Sequence, residues 1–227
     1  MQTVLSLPIE RDGALPDRFL DDLRFPEALV SALLERYTEP GDTVLDPFAG
    51  FGTVPRVATE LERNGYGIEY DAEKVDYARD RLEPSDRSHL RHGDALELAT
   101  YDLPRFDCCL TSPPFAADGT TVDPLRDYTG ESSYEAYLED LQDVFEQVSR
   151  RTRPGSRIVL EVANLKTAAG VTTLAWDVAD ALSAVVSFEG EVIIDWEGPP
   201  AEGYDGPGTY GYGYDHSYCL VFTADGP

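Results

Sequence analysis

With 227 residues, of which 42% are hydrophobic, the chain can bury a full core in one domain and predicts a soluble globular protein. It has no apolar run long enough to span a bilayer. Glu10, Arg11, Asp12 and Asp17 interrupt the first twenty residues, which argues against a signal peptide or an anchor. We therefore expect a cytoplasmic protein.

The charge balance is strongly acidic, because 43 Asp and Glu residues against 18 Lys and Arg residues give a formal net charge of −25. Such a charge ordinarily argues against a polyanionic partner. However, only Lys74 and Lys166 are lysines, and this acid-rich, lysine-poor composition resembles that of halophilic proteins. In a salt-saturated cytoplasm, charges are screened within a few ångströms and counterion release contributes little to DNA binding. The charge therefore does not exclude a nucleic-acid partner.

The cysteines and histidines indicate neither disulfides nor a metal site. Cys108 and Cys109 are adjacent, the chain has no Cys-x-x-Cys pattern, and His89, His92 and His216 show no ligand spacing. The two adjacent cysteines lie in an apolar run, and we interpret them as core residues. We predict no metal.

The first quarter of the chain predicts an arm, a helix, a strand and a glycine-containing loop. Residues 1–24 show no clear periodicity, although their apolar residues suit a short strand or an arm. Phe25-Pro26-Glu27 then begins an amphipathic helix, and a strand ends at Asp46. In the loop that follows, Gly50 and Gly52 permit a ligand to approach the backbone closely. A G-x-G-x-x-G fingerprint is absent, so nicotinamide chemistry is the weaker prediction.

A rigid turn, Thr111-Ser112-Pro113-Pro114-Phe115, follows the apolar run Phe106 to Leu110, which predicts a buried strand. Open α/β folds place their ligands at the carboxyl ends of such strands. Because two consecutive prolines lack backbone N–H donors, the turn presents acceptors and predicts a ligand that donates hydrogen bonds. The exocyclic amine of a nucleobase fits, with its protons on Ser112 and the Pro113 carbonyl and its ring on Phe115. An ordinary rigid turn is the alternative.

The loop and the turn together resemble the amino-methyltransferases that use S-adenosylmethionine (AdoMet) to methylate exocyclic amines of cytosine or adenine in DNA. The resemblance spans roughly Phe25 to Thr223 and implies a Rossmann-like class I methyltransferase fold. A serine at the first position of the turn is more similar to the cytosine-N4 enzymes than to the adenine-N6 enzymes. The residues that the resemblance implies to be catalytic are Ser112, Pro113, Pro114 and Phe115. Those that it implies to bind AdoMet are Phe25, Pro26, Asp46, Pro47, Phe48, Ala49, Gly50, Gly52, Thr53, Glu69, Asp94 and Ala95.

Three of these AdoMet contacts have expected roles. The helix begun by Pro26 is similar to one that closes over the methionine end of the cofactor. Glu69 ends a strand at the position where doubly wound folds bind ribose hydroxyls, and Asp94 matches an acidic residue that binds the adenine amine. Plain packing remains the alternative for the helix, and a solvated loop acid remains the alternative for each carboxylate.

Two polar loops are the candidates for substrate contact. One spans residues 116–131, and the other, residues 197–216, connects two strands predicted to pair antiparallel. The second loop is rich in Gly, Pro and Tyr; its tyrosines offer stacking surfaces for a base, while disorder is an equally open alternative. The residues predicted to bind substrate are Arg126, Tyr128, Tyr210, Tyr212 and Tyr214.

A basic cluster, Arg150, Arg151 and Arg153, ends a long predicted helix. A helix that leaves the catalytic face runs back to the opposite end of the sheet. We therefore interpret these arginines as complements to the helix carbonyl end and not as a DNA patch.

Overall, the sequence predicts an N-terminal arm, residues 1–24, and one methyltransferase domain, residues 25–227. The domain should hold a mostly parallel seven-stranded sheet with one antiparallel strand and helices on both faces. The predicted reaction is direct methyl transfer to a DNA base amine, most simply cytosine N4. The alternatives are an RNA base amino-methyltransferase (acting on tRNA or rRNA) and a catalytically silent nucleic-acid-binding subunit. Because no segment is large enough for a target-recognition region, specificity rests on the two loops or on a separate specificity or restriction partner.

Overall fold

The structure, a computed structural model, describes residues 2–8, 15–19, 23–126, 131–167, 170–197 and 215–224. These residues form one eight-stranded sheet, a separate two-stranded hairpin and five α-helices. The strands are β1 (Val4–Pro8), β2 (Thr43–Asp46), β3 (Asn64–Glu69), β4 (Leu90–His92), β5 (Phe106–Thr111), β6 (Thr152–Val162), β7 (Leu165–Thr167), β8 (Gly170–Thr172), β9 (Ser187–Glu197) and β10 (His216–Thr223). The helices are α1 (Glu27–Tyr37), α2 (Thr53–Glu60), α3 (Ala72–Asp80), α4 (Tyr134–Arg151) and α5 (Leu174–Leu182).

The large sheet has the strand order β1-β9-β10-β6-β5-β2-β3-β4. Strand β10 runs antiparallel to both of its neighbours, whereas every other neighbouring pair is parallel. The prediction of a mostly parallel sheet with one antiparallel strand is therefore confirmed.

The predicted number of seven strands is wrong, because the sheet has an eighth. Strand β1, from residues for which the sequence left a short strand or an arm open, pairs in parallel with β9 from Val4 opposite Ile193 to Pro8 opposite Glu197. It covers what would otherwise be an edge of unpaired backbone groups. Leu5 and Leu7 also pack against the hydrophobic core, which fixes the register of a strand too short to show a pattern in the sequence.

Two hydrophobic layers lie on opposite faces of the sheet, because successive side chains of a strand point to opposite sides. On one face, Val44, Cys108 and Val159 pack with α1 and α2. On the other, their neighbours Leu45, Cys109 and Leu160 pack with α4 and α5. The prediction of helices on both faces is thus confirmed.

The central strands place the predicted motifs side by side. Strands β6, β5, β2 and β3 are consecutive neighbours and all run in the same direction. Their carboxyl ends therefore lie along one edge, where Glu161, Thr111, Asp46 and Glu69 occur at or beside the last residue of each strand. This edge carries the candidate site.

Candidate active site

A cavity of about 330 Å³ opens at this edge of the sheet. Its volume falls within the ~300–1,000 Å³ range of small-ligand sites. Both predicted motifs contribute to its wall, one from β2 and one from β5. The predicted residues that line it are Phe25, Asp46, Pro47, Phe48, Ala49, Gly50, Thr53, Glu69, Asp94, Ala95, Ser112, Pro113, Pro114 and Phe115.

Asp46 connects the glycine loop to the proline turn. Its Oδ1 accepts a hydrogen bond of 2.6 Å from the hydroxyl of Thr111, the residue before Ser112, and one of 3.0 Å from the backbone N–H of Phe48. The side chain is buried, and this burial raises the pKa of Asp46 from its ordinary 3.8 to about 7, although the two hydrogen bonds oppose the shift. A buried carboxyl group thus holds the two motifs in a fixed relation.

Glu69 holds the glycine loop from the other side. Its Oε2 accepts from the N–H of Gly50 at 2.8 Å, and its Oε1 accepts from the N–H of Asp71 at 2.8 Å. Burial raises the pKa of Glu69, and the two backbone hydrogen bonds partly offset this effect. The loop can reach the carboxylate because Gly50 and Gly52 adopt φ angles of 51° and 73°, which residues with a Cβ rarely occupy. Each carboxylate oxygen retains a lone pair for a ligand hydroxyl.

Asp94 lies in a third loop beside the same cavity. Its Oδ1 accepts from the N–H of Leu96 at 2.9 Å and begins the short 3₁₀ helix Ala95–Thr100. The Tyr101 hydroxyl accepts from the Asp94 N–H at 2.8 Å and donates to the Asp94 carbonyl at 3.1 Å. These contacts fix the loop backbone next to the cavity.

The proline turn is held by two side chains that approach from other elements. The Ser112 hydroxyl donates to Oε2 of Glu161 on β6 at 2.9 Å. The hydroxyl of Tyr137 on α4 donates to the Pro114 carbonyl at 3.0 Å. Phe115 projects outward, with 42% of its surface exposed, which suits a ring that stacks on a ligand. Ser112, Pro113 and Phe115 also line a second, smaller cavity that Glu161 and Tyr137 help to enclose.

Three predicted ligand residues lie outside the lining of the main cavity. Pro26 is the N-cap of α1, and Gly52 is the N-cap of α2. The Arg126 guanidinium binds both carboxylate oxygens of Asp140, at 2.5 and 2.6 Å, because a short 3₁₀ turn directs it toward α4. The remaining substrate residues, Tyr128, Tyr210, Tyr212 and Tyr214, lie outside the described part of the chain.

The basic cluster lies at the opposite end of the sheet from the cavity. Arg151 donates hydrogen bonds to the backbone carbonyls of Ala99, Tyr101 and Leu103, which precede β5. Arg153 pairs with Asp107 at the start of β5. These contacts hold the end of α4 against neighbouring backbone and side chains. Arg151 and Arg153 do not line the cavity.

Several residues of the cavity and the turn were not predicted from the sequence, among them four with polar side chains. Tyr70 and Lys74 line the main cavity, and Glu161 and Tyr137 support the turn. A signal existed for Glu161, since it is an acidic residue inside the apolar run Ile158 to Val162, where a charge is costly to bury. The others give no such signal, because their proximity to the site arises only from folding.

The cysteines are buried and line neither of the two cavities at the site. Cys108 and Cys109 are buried in β5, and burial raises the pKa of the Cys108 thiol to about 12. Within the described ranges, His, Cys, Asp and Glu side chains form no group of three or more suited to a metal ion. Among those same residues, every helix is too short or too polar to cross a bilayer.

Comparison with known sequences gives matches over part of the chain. A family model described as DNA methylase matches residues 19–80, a range that contains the glycine loop and Glu69. The type II methyltransferase M.XycI of Xanthomonas campestris pv. cyanopsidis is 43% identical over 67 residues, which is 30% of this chain and 22% of that protein. The chain thus spans about a fifth of the length of the relatives that it matches.

Comparison with solved structures covers most of the chain and concerns the fold. TrmN from Thermus thermophilus aligns with a TM-score of 0.60 at 21% identity, over 87% of this chain and 48% of that one. A glycopeptide N-methyltransferase, MtfA, solved in complex with (S)-adenosyl-L-methionine, aligns with a TM-score of 0.54 at 13% identity, over 87% of this chain and 93% of that one. The chain therefore has the class I methyltransferase fold.

Proposed function

We propose that this chain, which belongs to the DNA amino-methyltransferase family by the sequence of residues 19–80, transfers a methyl group from AdoMet to an exocyclic amine of a DNA base. We further propose cytosine N4 as the acceptor. One observation carries the proposal. The Ser112 turn lies between a cavity of ligand size and a second small cavity, and the Asp46–Thr111 hydrogen bond links it to the glycine loop.

The cofactor is AdoMet, and the residues around the main cavity suit its groups. Glu69 accepts hydrogen bonds through both oxygens and has lone pairs left for ribose hydroxyls. Asp94 offers a carboxylate oxygen to the adenine amine, and the exposed ring of Tyr70 adds an aromatic surface at the same cavity. When bound, AdoMet would supply a sulfonium methyl group: the amine lone pair would bond to the methyl carbon, the C–S electron pair would stay on sulfur, and the methylated nitrogen would release one proton to solvent.

The residues of the turn act by orientation. An amine has N–H donors and one reactive lone pair, so acceptors on the protein aim that lone pair without blocking it. Ser112 supplies one such acceptor and the Pro113 carbonyl the other, because the Pro114 carbonyl already accepts from Tyr137. Phe115 supports the face of the base. No covalent enzyme intermediate is required.

Cytosine N4 is preferred over adenine N6 because of the first residue of the turn. The family resemblance associates serine there with cytosine-N4 enzymes and Asp or Asn with adenine-N6 enzymes. The net charge of −25 supports a substrate bound by stacking and base contacts more than by phosphates, in a halophilic setting. Arg126, Tyr128, Tyr210, Tyr212 and Tyr214 stay candidates for these contacts, as does a separate specificity or restriction partner.

The test is methyl transfer from tritiated AdoMet in molar KCl, with double-stranded DNA, single-stranded DNA and RNA offered side by side. Digestion to nucleosides then identifies the product. The proposal predicts labelled N4-methylcytosine from DNA. Label in RNA nucleosides only would support the RNA alternative, and AdoMet binding without transfer to any polymer would support a silent subunit.

A further inference from the structure

We propose that Glu161 is a positioning residue that holds the Ser112 hydroxyl as a hydrogen-bond acceptor for the target amine. The inference rests on the proposed function and adds a residue outside both motifs. Glu161 lies on β6, next to the strand that leads into the turn, and only 2% of its surface is exposed. Its Oε2 accepts a hydrogen bond from the Ser112 hydroxyl, with 2.9 Å between the two oxygens.

This hydrogen bond decides which way the serine hydroxyl can act. A hydroxyl group has one proton and two acceptor lone pairs, whereas a carboxylate only accepts. While the Ser112 proton points at Glu161, the serine oxygen can offer only lone pairs to a ligand. Toward a ligand, the Ser112 hydroxyl therefore acts only as a hydrogen-bond acceptor.

The direction matters because the amine is both a donor and a nucleophile. A serine that turned its proton toward the amine would bind the lone pair that must attack the methyl group. A serine that accepts an amine proton leaves that lone pair available and rotates it toward the cofactor. Glu161 therefore favours the reactive orientation through its hydrogen bond with Ser112.

The second cavity lies beside the Ser112–Glu161 pair. This cavity has a volume of about 20 Å³ and is lined by Ser112, Pro113, Phe115 and Glu161, with Tyr137 at its wall. It has room for about one or two water-sized groups, which suits an amino group at the edge of a base and excludes a whole ring. The ring of the base then rests outside, against the exposed Phe115.

A purely structural role explains Glu161 less well. Its neighbours on β6, Leu160 and Val162, are apolar and buried, and a carboxylate there is costly to desolvate. An apolar side chain of similar volume would stabilise the strand as well or better. The carboxylate is accounted for by what it does to Ser112.

The test is a double-mutant cycle between Glu161 and Ser112. Glu161→Gln keeps the shape but lacks the charge, and Glu161→Met lacks any strong acceptor. We expect turnover to fall about 5- to 10-fold for Glu161→Gln and about 10- to 100-fold for Glu161→Met, since a hydrogen bond to a charged group is lost or weakened. AdoMet affinity, measured by calorimetry, should stay within about 2-fold, because Glu161 does not line the main cavity. In a Ser112→Ala background, the same changes at Glu161 should have no further effect on turnover.

Thr152→Val is the matched control. Thr152 is also buried on β6, and its hydroxyl donates to the Val148 carbonyl at 2.8 Å, but it lies at the opposite end of the strand. This variant should lower the melting temperature as much as Glu161→Gln or more, while turnover stays within about 2-fold.

The possible results separate the inference from the proposed function. Three results would each overturn the inference and leave methyl transfer standing. The first is full turnover in both Glu161 variants, and the second is a loss of turnover in the Ser112→Ala background equal to the loss in the wild-type background. The third is a loss of AdoMet affinity in the Glu161 variants. If Glu161→Met fails to fold, the turnover and AdoMet affinity of Glu161→Gln decide. A wild-type chain that binds AdoMet and methylates no base would instead refute the proposed function, and the inference with it.

Discussion

Residues 43–94, which we propose bind the cofactor, and residues 106–182, which we propose bind the target base, build their parts of the site in different ways. We call them the cofactor half and the target half. In the cofactor half, ligand groups lie close along the chain: Glu69 binds the Gly50 amide from 19 residues away, and Asp94 caps its own loop. In the target half, the Ser112 hydroxyl donates to Glu161, which lies 49 residues away in the sequence. The Pro114 carbonyl accepts from Tyr137 on α4. The halves are joined by the Asp46–Thr111 hydrogen bond, which spans 65 residues.

This difference explains where sequence comparison succeeds. The DNA methylase model matches residues 19–80, which end before the target half begins. A loop whose contacts are local and made largely by backbone depends on glycines at fixed spacings, so its sequence is a compact signature. In the target half only the turn after β5 is such a signature, because the side chains on β6 and α4 that hold it lie far away in the sequence. The predictions below test whether the two halves are separable in function as well.

Ser112→Ala should have the largest effect and should be confined to the target half. We expect turnover to fall about 100- to 1,000-fold, because the amine loses an acceptor that orients its lone pair. AdoMet affinity should change by less than about 3-fold, since the ligands assigned to the cofactor lie in the other half. Single-turnover methyl transfer and AdoMet calorimetry measure the two quantities. A large loss of AdoMet affinity would show that the halves are not separable.

Glu69→Gln is the corresponding change in the cofactor half. The amide side chain cannot accept from both Gly50 and Asp71, so the loop loses a charge-assisted hydrogen bond and the ribose loses its acceptor. We expect AdoMet affinity to fall about 30- to 100-fold, with turnover at saturating AdoMet within about 3-fold.

Glu73→Gln is the control for Glu69→Gln, because it removes the same charge from an exposed position on α3, where Glu73 pairs with Arg18. It should leave AdoMet affinity unchanged. Equal losses of affinity in the two variants would point to net charge rather than to a direct contact.

Asp46→Asn tests the connection between the halves through pH. The native carboxyl has a pKa of about 7 against an ordinary 3.8, so the folded state holds its proton more tightly than the unfolded state does. The stability from this group is full below about pH 4 and is lost as the pH rises through about 7, a change of about 2 kcal/mol between pH 5 and pH 8. Asn retains an oxygen for the Thr111 and Phe48 hydrogen bonds and does not titrate.

Urea unfolding of both proteins at pH 5 and pH 8 measures this effect. The stability of Asp46→Asn relative to wild type should increase by about 2 kcal/mol from the lower to the higher pH. Parallel pH dependences in the two proteins would mean that Asp46 is ionised in the folded state at neutral pH.

Tyr137→Phe should have the smallest effect, in the target half. It removes the hydrogen bond to the Pro114 carbonyl and leaves the buried ring in place. We expect turnover to fall about 3- to 10-fold, in line with one neutral hydrogen bond, and AdoMet affinity to be unchanged. Steady-state kinetics at saturating AdoMet measure the change. An unchanged rate would mean that the two prolines alone hold the turn.

Much of the fold followed from the sequence because its strands are apolar runs that end in motif residues. Strands β2, β3 and β5 and helix α1 lie where the periodicity predicted them, and β9 pairs antiparallel with β10 as expected. For the eighth strand the sequence left a short strand or an arm open, because its pairing with β9 comes from tertiary contact and not from its own pattern.

The candidate site was predicted less completely. Most residues of the two motifs line the cavity, since a motif fixes its own local geometry. Arg126 stays a predicted substrate residue, and its guanidinium pairs with Asp140, a partner on α4 that no local pattern indicates. Glu161 is the opposite case: no role was predicted for it, because its contact with Ser112 requires β6 to lie beside β5.

A structure of the protein with AdoMet bound tests most directly whether the two halves meet at the turn. The account predicts the adenine beside Asp94, the ribose hydroxyls on Glu69, and the sulfonium methyl directed at Ser112 and the mouth of the small cavity. An AdoMet molecule bound elsewhere, or one whose methyl group points away from Ser112, would contradict it.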